Sequence, residues 1–188
     1  MKTMETEIVV VAAGPAGLCA AVQAAEDGAQ VIVLEKSPVP GGAANMGMGP
    51  LGIGTKYQKD QMVDISVEKA FNMFMEYTHY QADARLVRRY FEMSGKTIEW
   101  LEDMGVRFAG AFKYFPKSEQ TWHICMTDQG IGRGAASYMV KALMNRDAEL
   151  GVEVLLETPA TGLVMEDGKL AAVMAKDTPV IFAAVTDP

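Results

Sequence analysis

The chain has 188 residues, of which 49% are hydrophobic and 22% charged, and its formal net charge is -7. This composition is typical of a globular protein with one real core and room for a subdomain. The acidic excess argues against nucleic acid and anionic membrane surfaces as partners. No stretch reaches the roughly 18 apolar residues of a spanning helix, so we expect no membrane insertion. Cys19 and Cys125 lack any pairing or metal-binding spacing, which predicts a cytoplasmic protein without a metal site.

The first 35 residues have the pattern of a dinucleotide-binding βαβ unit. The apolar run Ile8–Val11 predicts a buried parallel strand, and the Ala-rich residues 15–27 predict a helix that Gly28 ends. A second strand follows over residues 31–34. Small residues connect the first strand to the helix, as they must where a pyrophosphate approaches the free N–H groups of a helix N-terminus. A βαβ unit that binds no nucleotide is the alternative interpretation.

The connecting turn departs at one position from the usual Gly-x-Gly-x-x-Gly pattern. Residues 12–17 read Ala-Ala-Gly-Pro-Ala-Gly, so alanine stands at the first glycine. Since that glycine serves the tight turn, the Cβ of Ala12 either has a tolerated φ or pushes the turn outward and weakens binding. Glu35, which lies 21 residues after Gly14, is placed to accept both hydroxyls of an adenosine ribose. The predicted cofactor contacts of the turn are Ala12, Gly14, Pro15, Ala16 and Gly17.

Three later segments add a resemblance to a flavoprotein family. A Gly-Gly pair, Gly41 and Gly42, closely follows Glu35; residues 130–136 read Gly-Ile-Gly-Arg-Gly-Ala-Ala and lead into a helical pattern; and residues 150–164 match further on. With these segments, residues 7 to about 176 resemble the N-terminal part of the fumarate reductase and succinate dehydrogenase flavoproteins, including soluble relatives that act on ketosteroids and urocanate.

That resemblance implies FAD as the cofactor. NAD is disfavoured by the Gly-Gly pair and by an inserted meander at residues 161–175. By the same resemblance, the segment at Ala160 offers backbone groups to the adenine edge. The resemblance thus adds to Glu35 these cofactor-binding residues: Lys36, Gly41, Gly42, Ala43 and Ala160.

The middle of the chain predicts a glycine-rich loop and two helices. Residues 46–58 form an apolar loop with four glycines, which in the resembling family lies against the isoalloxazine ring; an ordinary surface loop is the alternative. Apolar spacing predicts helices over 59–77 and 83–104, the second with Asp83 as N-cap and Gly105 as its end. Residues 109–129 are expected to form a long loop or a short hairpin.

The C-terminal third predicts the rest of a sheet. Residues 130–134 open a helix that runs to about residue 149, before a third parallel strand at 152–156. Strands 161–165 and 170–175 flank an Asp167-Gly168 turn, and residues 180–185 return beside the first strand. The predicted fold is therefore α/β, a doubly wound, Rossmann-like FAD-binding parallel sheet of order 3-2-1-4 with an inserted β-meander and a helical insertion. We expect one FAD-binding domain over 1–188, with 46–129 as the loop and helical insertion.

No catalytic residue is assigned from the sequence. His79 and His123 are the only imidazoles; a structural role is favoured for both, although His123 leads towards the Gly130 turn and could belong to a substrate site. The chain ends at Pro188, before the capping domain of the resembling family, so we expect a fragment that needs a further segment or partner chain.

Two functions remain open from the sequence. One is an FAD-dependent oxidoreductase that moves a hydride to or from a C=C bond conjugated to a carbonyl, with a small molecule as substrate. The other is an FAD- or nucleotide-binding module without catalysis, which lacks a substrate site.

Overall fold

The structure, a computed structural model, describes residues 3–175 and 178–182. In chain order, the described residues form β1 (Met4–Thr6), β2 (Ile8–Val11), α1 (Pro15–Glu26), β3 (Val31–Leu34), a 3-10 helix (Gly42–Met46), α2 (Lys56–Asp60), α3 (Val67–Tyr77), α4 (Ala84–Asp103), β4 (Phe108–Lys113), β5 (Gln120–Cys125), α5 (Ser137–Glu149), β6 (Glu153–Leu155), β7 (Ala160–Glu166), β8 (Lys169–Ala175) and β9 (Thr178–Phe182). They divide into two compact units, residues 1–45 with 140–188 and residues 46–139.

The first unit contains the predicted parallel sheet. β2, β3 and β6 pair in parallel in the order β2-β3-β6, and β1 pairs in parallel with β9. The first three strands thus have the predicted order, whereas the fourth, β9, belongs to a separate sheet of order β1-β9-β8-β7. The fourth strand differs from the prediction in one respect, because it pairs with residues 4–6 rather than with 8–11. Residues 183–185 of the predicted strand lie outside the described residues.

The β-meander covers one side of this unit's core. β7 and β8 form a hairpin around Asp167 and Gly168, which both have positive φ (51° and 76°), and β8 pairs antiparallel with β9. Two central residues with positive φ define the hairpin turn that the Asp-Gly dipeptide predicts. Val173 of β8 packs in one apolar cluster with Ile32 and Leu34 of β3.

The second unit is built from α2, α3, α4 and the β4–β5 hairpin. Its core cluster consists of Ile53, Ile65, Ala70, Met75, Val87 and Phe91. Residues 109–129, expected to be a loop or a hairpin, form the hairpin, with β4 and β5 antiparallel. The predicted ends of α4 are confirmed: the Asp83 carboxylate accepts the N–H groups of Arg85 and Leu86, and Gly105 has a φ of +89°.

The predicted helix over residues 59–77 is wrong in its first part. α2 ends at Asp60 and α3 begins only at Val67. Each helix has its own N-cap: Thr55 forms a capping box with Gln58, and the Ser66 hydroxyl accepts the Lys69 N–H at 3.1 Å. Two caps eleven residues apart, at 55 and 66, begin two helices instead of one. Similarly, the helix expected from residues 130–134 begins at Ser137, since residues 133–136 form turns.

Candidate cofactor site

The turn between β2 and α1 leaves the N-terminus of α1 open. Gly14 is the N-cap, Pro15 occupies the first turn, and no side chain caps this end of the helix. Pro15 has no N–H, so the first-turn donors that lack an intrahelical acceptor belong to Ala16 and Gly17. These donors and the positive end of the helix dipole favour the binding of an anion such as a phosphate.

The two glycines of the turn, Gly17 and Gly14, differ in what a side chain at their position would meet. A Cβ added at Gly17 would lie 1.8 Å from the Ala12 carbonyl oxygen, so only glycine allows the strand and the helix to approach this closely. A Cβ added at Gly14 would meet nothing within 4 Å, which leaves open space where a phosphate would lie. Ala12 is exposed and does not have a positive φ, so its conformation is one that alanine tolerates.

Glu35 connects the end of β3 to this turn. Its side chain is only 6% exposed. Oε2 accepts the Ala13 N–H at 3.0 Å and Oε1 accepts the Ser37 N–H at 2.8 Å. Burial by itself would raise the pKa of Glu35, but these hydrogen bonds, together with the Lys36 charge, lower the pKa below its usual value. The carboxylate is therefore ionised at neutral pH, and it can accept a further hydrogen bond beside those from Ala13 and Ser37.

The Gly-Gly segment meets the same turn from the other side. The Gly41 N–H donates to the Ala13 carbonyl at 2.7 Å. Gly41 has a φ of +101°, and an added Cβ would lie 2.6 Å from Oδ1 of Asn45 and 2.8 Å from Cγ1 of Val140. Gly42 and Ala43 follow as exposed residues at the start of the 3-10 helix.

Ala160 lies on the segment that runs beside Glu35. The Glu35 N–H donates to the Leu155 carbonyl at 2.9 Å, and the Glu35 carbonyl accepts the Thr158 N–H at 2.8 Å. Two residues further, Ala160 begins β7 and is exposed. The structure therefore brings the turn, Glu35 and Gly41 into direct contact, with Ala160 on an adjoining segment. Lys36 is exposed and lies next to these residues because it follows Glu35 in the chain.

The structure also shows positioning residues that the sequence analysis missed. Ala13 is fully buried and makes both hydrogen bonds that hold the turn, one through its N–H and one through its carbonyl. Asn45 donates from Nδ2 to the Pro40 carbonyl at 2.7 Å and so shapes the Gly-Gly segment. The sequence signal for Ala13 was weak, because the usual pattern allows any residue at that position.

His123 proves to be a structural residue of the second unit. Its side chain is 0% exposed. Nε2 lies 2.7 Å from the Thr55 hydroxyl and Nδ1 lies 3.0 Å from the Thr121 carbonyl, which assigns the proton to Nδ1. Burial lowers the pKa of His123, so the ring is neutral. With both nitrogens engaged, His123 has no free position for a substrate. The other imidazole, His79, is exposed just after α3.

Comparison with known proteins identifies the family of this chain and its cofactor. A family model described as FAD binding domain matches residues 7–187. The chain belongs to this family. The cofactor of this family is FAD, and FAD is therefore the cofactor of this chain.

Relatives of this FAD-binding chain include several reductases. It is 37% identical over 169 residues to vinyl phenol reductase of Lactiplantibacillus plantarum, a match that covers 89% of this chain and 33% of that protein. It is 29% identical to NADH:fumarate oxidoreductase of Klebsiella pneumoniae, over 89% of this chain and 18% of that protein. The chain thus spans a third or less of the length of these two relatives.

Solved structures agree on the fold. The 3-ketosteroid-Δ4-(5α)-dehydrogenase of Rhodococcus jostii is similar with a TM-score of 0.84 and 27% identity, over 95% of this chain and 44% of that chain. The open form of a flavocytochrome c3 fumarate reductase is similar with a TM-score of 0.83 and 24% identity, over 95% and 32%. Within the described part of this chain, no helix is both long and apolar enough to cross a membrane.

Proposed function

We propose that this chain is the FAD-binding part of an oxidoreductase that moves a hydride between FAD and a C=C bond conjugated to a carbonyl. The observation that carries the proposal is Ala13, whose two backbone hydrogen bonds join Glu35 and Gly41 around an uncapped helix N-terminus. FAD, when bound, supplies the two-electron carrier. Relatives named for vinyl phenol and for fumarate support a reaction at a C=C bond, and fumarate, whose C=C bond is conjugated to carboxyl groups, supports the narrower class.

In this proposal, each group of residues has a separate task. The N–H groups of Ala16 and Gly17 bind the pyrophosphate, next to the open space at Gly14. Glu35 accepts the ribose hydroxyls through its remaining lone pairs, and backbone groups near Ala160 meet the adenine. Ala12, Pro15 and Lys36 line the same turn and strand end, and the backbone of Gly41, Gly42 and Ala43 approaches the pyrophosphate and ribityl chain.

The proposal extends to domain organisation, partners and location. We place residues 1–188 in one FAD-binding domain with 46–129 as an insertion. The substrate is a small molecule rather than nucleic acid, as the net charge of -7 favours. The grip on that substrate comes from a further segment or a partner chain. Cys19 and Cys125 are both free, which favours the cytoplasm.

A second candidate function is an FAD-binding module without catalysis. It is favoured by the burial of His123, whose two ring nitrogens are both engaged and therefore unable to protonate a substrate.

One experiment tests both functions. FAD is titrated into the purified chain and binding is followed by flavin fluorescence; the complex is then reduced anaerobically and mixed with fumarate, urocanate or a 3-ketosteroid. Binding followed by substrate-dependent reoxidation supports the oxidoreductase. Binding without reoxidation supports the module, and the absence of FAD binding contradicts both.

A further inference from the structure

Helix α4 has one row of residues in the core of the second unit and a second, largely apolar row beside it. The row in the core is buried and consists of Val87, Phe91, Ser94, Ile98 and Leu101. The residues that directly precede these five repeat their spacing of four and three, which keeps side chains on one face of a helix. We call this second row the outer stripe: Leu86, Tyr90, Met93, Thr97 and Trp100.

The outer stripe is open to solvent along much of its length. Leu86, Tyr90 and Met93 are 71%, 49% and 38% exposed, and Thr97 and Trp100 are partly buried. The Thr97 hydroxyl donates to the Met93 carbonyl at 3.1 Å, so an apolar partner can cover Thr97 without breaking a hydrogen bond to water. A continuous apolar row on a helix surface is typical of an interaction site.

A loop turns the outer stripe into a groove of about 260 Å³. Pro50 and Leu51 line this groove together with four residues of the outer stripe. The loop is held against α4, because the Ile53 N–H donates to the Ser94 hydroxyl at 3.0 Å and a Cβ added at Gly95 would lie 2.5 Å from the Ile53 carbonyl oxygen. The groove is therefore formed before any partner arrives, which lowers the ordering cost of binding.

A charged row runs along α4 beside the outer stripe. It keeps the same spacing, and all six of its residues are exposed: Arg85, Arg89, Glu92, Lys96, Glu99 and Asp103. Their signs in chain order are plus, plus, minus, plus, minus and minus. Reading the row backwards reverses every sign, because each charge has an opposite charge at the same distance from residue 94. The outer stripe is centred one residue earlier, on Met93.

A row with this pattern of signs is complementary to itself in the antiparallel direction. When two identical helices pack antiparallel about a two-fold axis, the same flank of each helix meets, and residue i lies opposite the residue equally far beyond the axis. With the axis near residue 94, every charge of the row lies opposite one of the other sign. Parallel packing would instead place like charges together, which is unfavourable.

We propose that the outer stripe and the charged row form an interface between two copies of this chain, in which the α4 helices pack antiparallel about a two-fold axis near residues 93 and 94. Burial of the outer stripe supplies the hydrophobic free energy, and the charged row sets the direction of pairing. One pair of helices makes a small interface, so we expect a reversible dimer with a dissociation constant of roughly 1 to 100 µM.

Sedimentation velocity of the whole chain, over a concentration range of about 1 to 500 µM, tests the dimer itself. Leu86→Ser should raise the dissociation constant by roughly 10-fold or more. The matched control is Leu163→Ser on β7, where a leucine is 66% exposed, close to the value for Leu86, and this change should have no effect. A parent chain that stays monomeric throughout, or equal weakening by both variants, would overturn the inference.

Exchange of charges tests the antiparallel direction. One variant combines Arg85→Glu with Arg89→Glu, and the other combines Glu99→Lys with Asp103→Lys. Each alone should weaken the dimer by roughly 10-fold or more, because like charges then meet at both ends of the interface. Both variants place charges that suit the helix dipole, so folding should be preserved, and thermal unfolding checks it.

An equimolar mixture of the two charge variants completes the test. In a mixed dimer every altered charge again lies opposite one of the other sign, so the mixture should dimerise with about the affinity of the parent chain. Neither misfolding nor a general change in charge would be rescued by mixing. Charge variants that dimerise as well as the parent, or a mixture that stays as weak as each variant alone, would contradict the antiparallel interface.

Discussion

At the scale of single residues, the carboxylate of Glu35 holds the turn through hydrogen bonds and remains able to accept another. Its two oxygens take the N–H groups of Ala13 and Ser37, and the resulting fall in pKa keeps the group charged although it is nearly buried. A charged acceptor makes shorter and stronger hydrogen bonds than a neutral one. Loss of this carboxylate therefore removes support from the turn and, in the proposed site, the acceptor for the ribose.

Glu35→Ala should weaken FAD binding by about 1.5 to 3 kcal/mol, because charge-assisted hydrogen bonds are lost. Glu35→Gln should also weaken binding, since its amide group opposes one of the two N–H donors with another donor. Flavin fluorescence titration measures both affinities, with Glu166→Ala on the exposed hairpin as the control. An unchanged affinity in the Ala variant would remove Glu35 from the site.

Ala12→Gly should tighten FAD binding by roughly 0.5 to 1 kcal/mol. The substitution removes an exposed Cβ next to the phosphate position, and part of the gain is offset by the greater chain entropy of glycine. The same titration, with thermal unfolding as a check on stability, measures the effect. Equal or weaker binding would mean that the turn already accommodates Ala12 in the bound state.

At the scale of secondary-structure elements, the β2–α1 junction depends on two glycines that are not equivalent. Gly17 permits the packing of α1 against the Ala12 carbonyl, whereas Gly14 leaves space open in front of the helix. The N-terminus of α1 is left uncapped by any side chain. In the proposed site the bound cofactor supplies the missing partner of this helix end, so we expect Gly17 to matter for stability and Gly14 for binding.

Gly14→Ala and Gly17→Ala should therefore impair different properties, FAD affinity and folding stability respectively. Gly14→Ala should fold normally, because Gly14 has a φ of -74° and an added Cβ meets nothing, but its methyl group should reduce FAD affinity. Gly17→Ala should lower the free energy of unfolding by about 1 to 3 kcal/mol through its clash with backbone. Urea unfolding and FAD titration of both variants provide the measurements. A stable Gly17→Ala chain with unchanged affinity would contradict this division.

At the scale of the whole molecule, two buried carboxyl groups have opposite effects on the pH dependence of stability. Glu35 has a lowered pKa, so its contribution is present above the pKa of the unfolded chain and is lost as the pH falls through the folded value. Asp147 on α5 is 0% exposed, and neither carboxyl oxygen has a hydrogen-bond partner within the described residues. Burial raises its pKa from the ordinary 3.8 to about 7. The folded chain holds that proton more tightly, so stability falls as the pH rises from about 4 to 7.

Asp147→Ala should consequently raise the free energy of unfolding at neutral pH, by up to about 4 kcal/mol on the scale of 1.36 kcal/mol per pKa unit. The gain should be nearly absent near pH 4, where the folded parent carboxyl is protonated and that of the unfolded chain is close to half protonated. Urea unfolding from pH 4 to 8 measures it, with Asp64→Ala at an exposed position as the control. A gain that does not change with pH would show that packing, rather than ionisation, is responsible.

Local patterns were sufficient to predict the parts of this protein that depend on neighbours in the chain. The strand, helix and strand of residues 8–34, the Asp83 cap and the Asp167-Gly168 turn follow from apolar spacing, capping and backbone preference, all of which act over a few residues. The α/β fold class and the FAD cofactor were predicted from the same βαβ pattern together with the family resemblance. The helix over 59–77 was wrong because the apolar spacing continued across residues 61–66, whereas the Ser66 cap began a new helix.

Only the tertiary structure decided which side chains meet. Glu35 and Gly41 reach Ala13 across 22 and 28 residues, and no local pattern encodes those hydrogen bonds. The same holds for His123: the sequence favoured a structural role but left a substrate site open, and the enclosure of the ring beside Thr55 decides for the structural role. Burial and hydrogen bonding determine whether a polar residue is structural, charged or free to react. These depend on groups distant in sequence, and they exist only once the chain has folded.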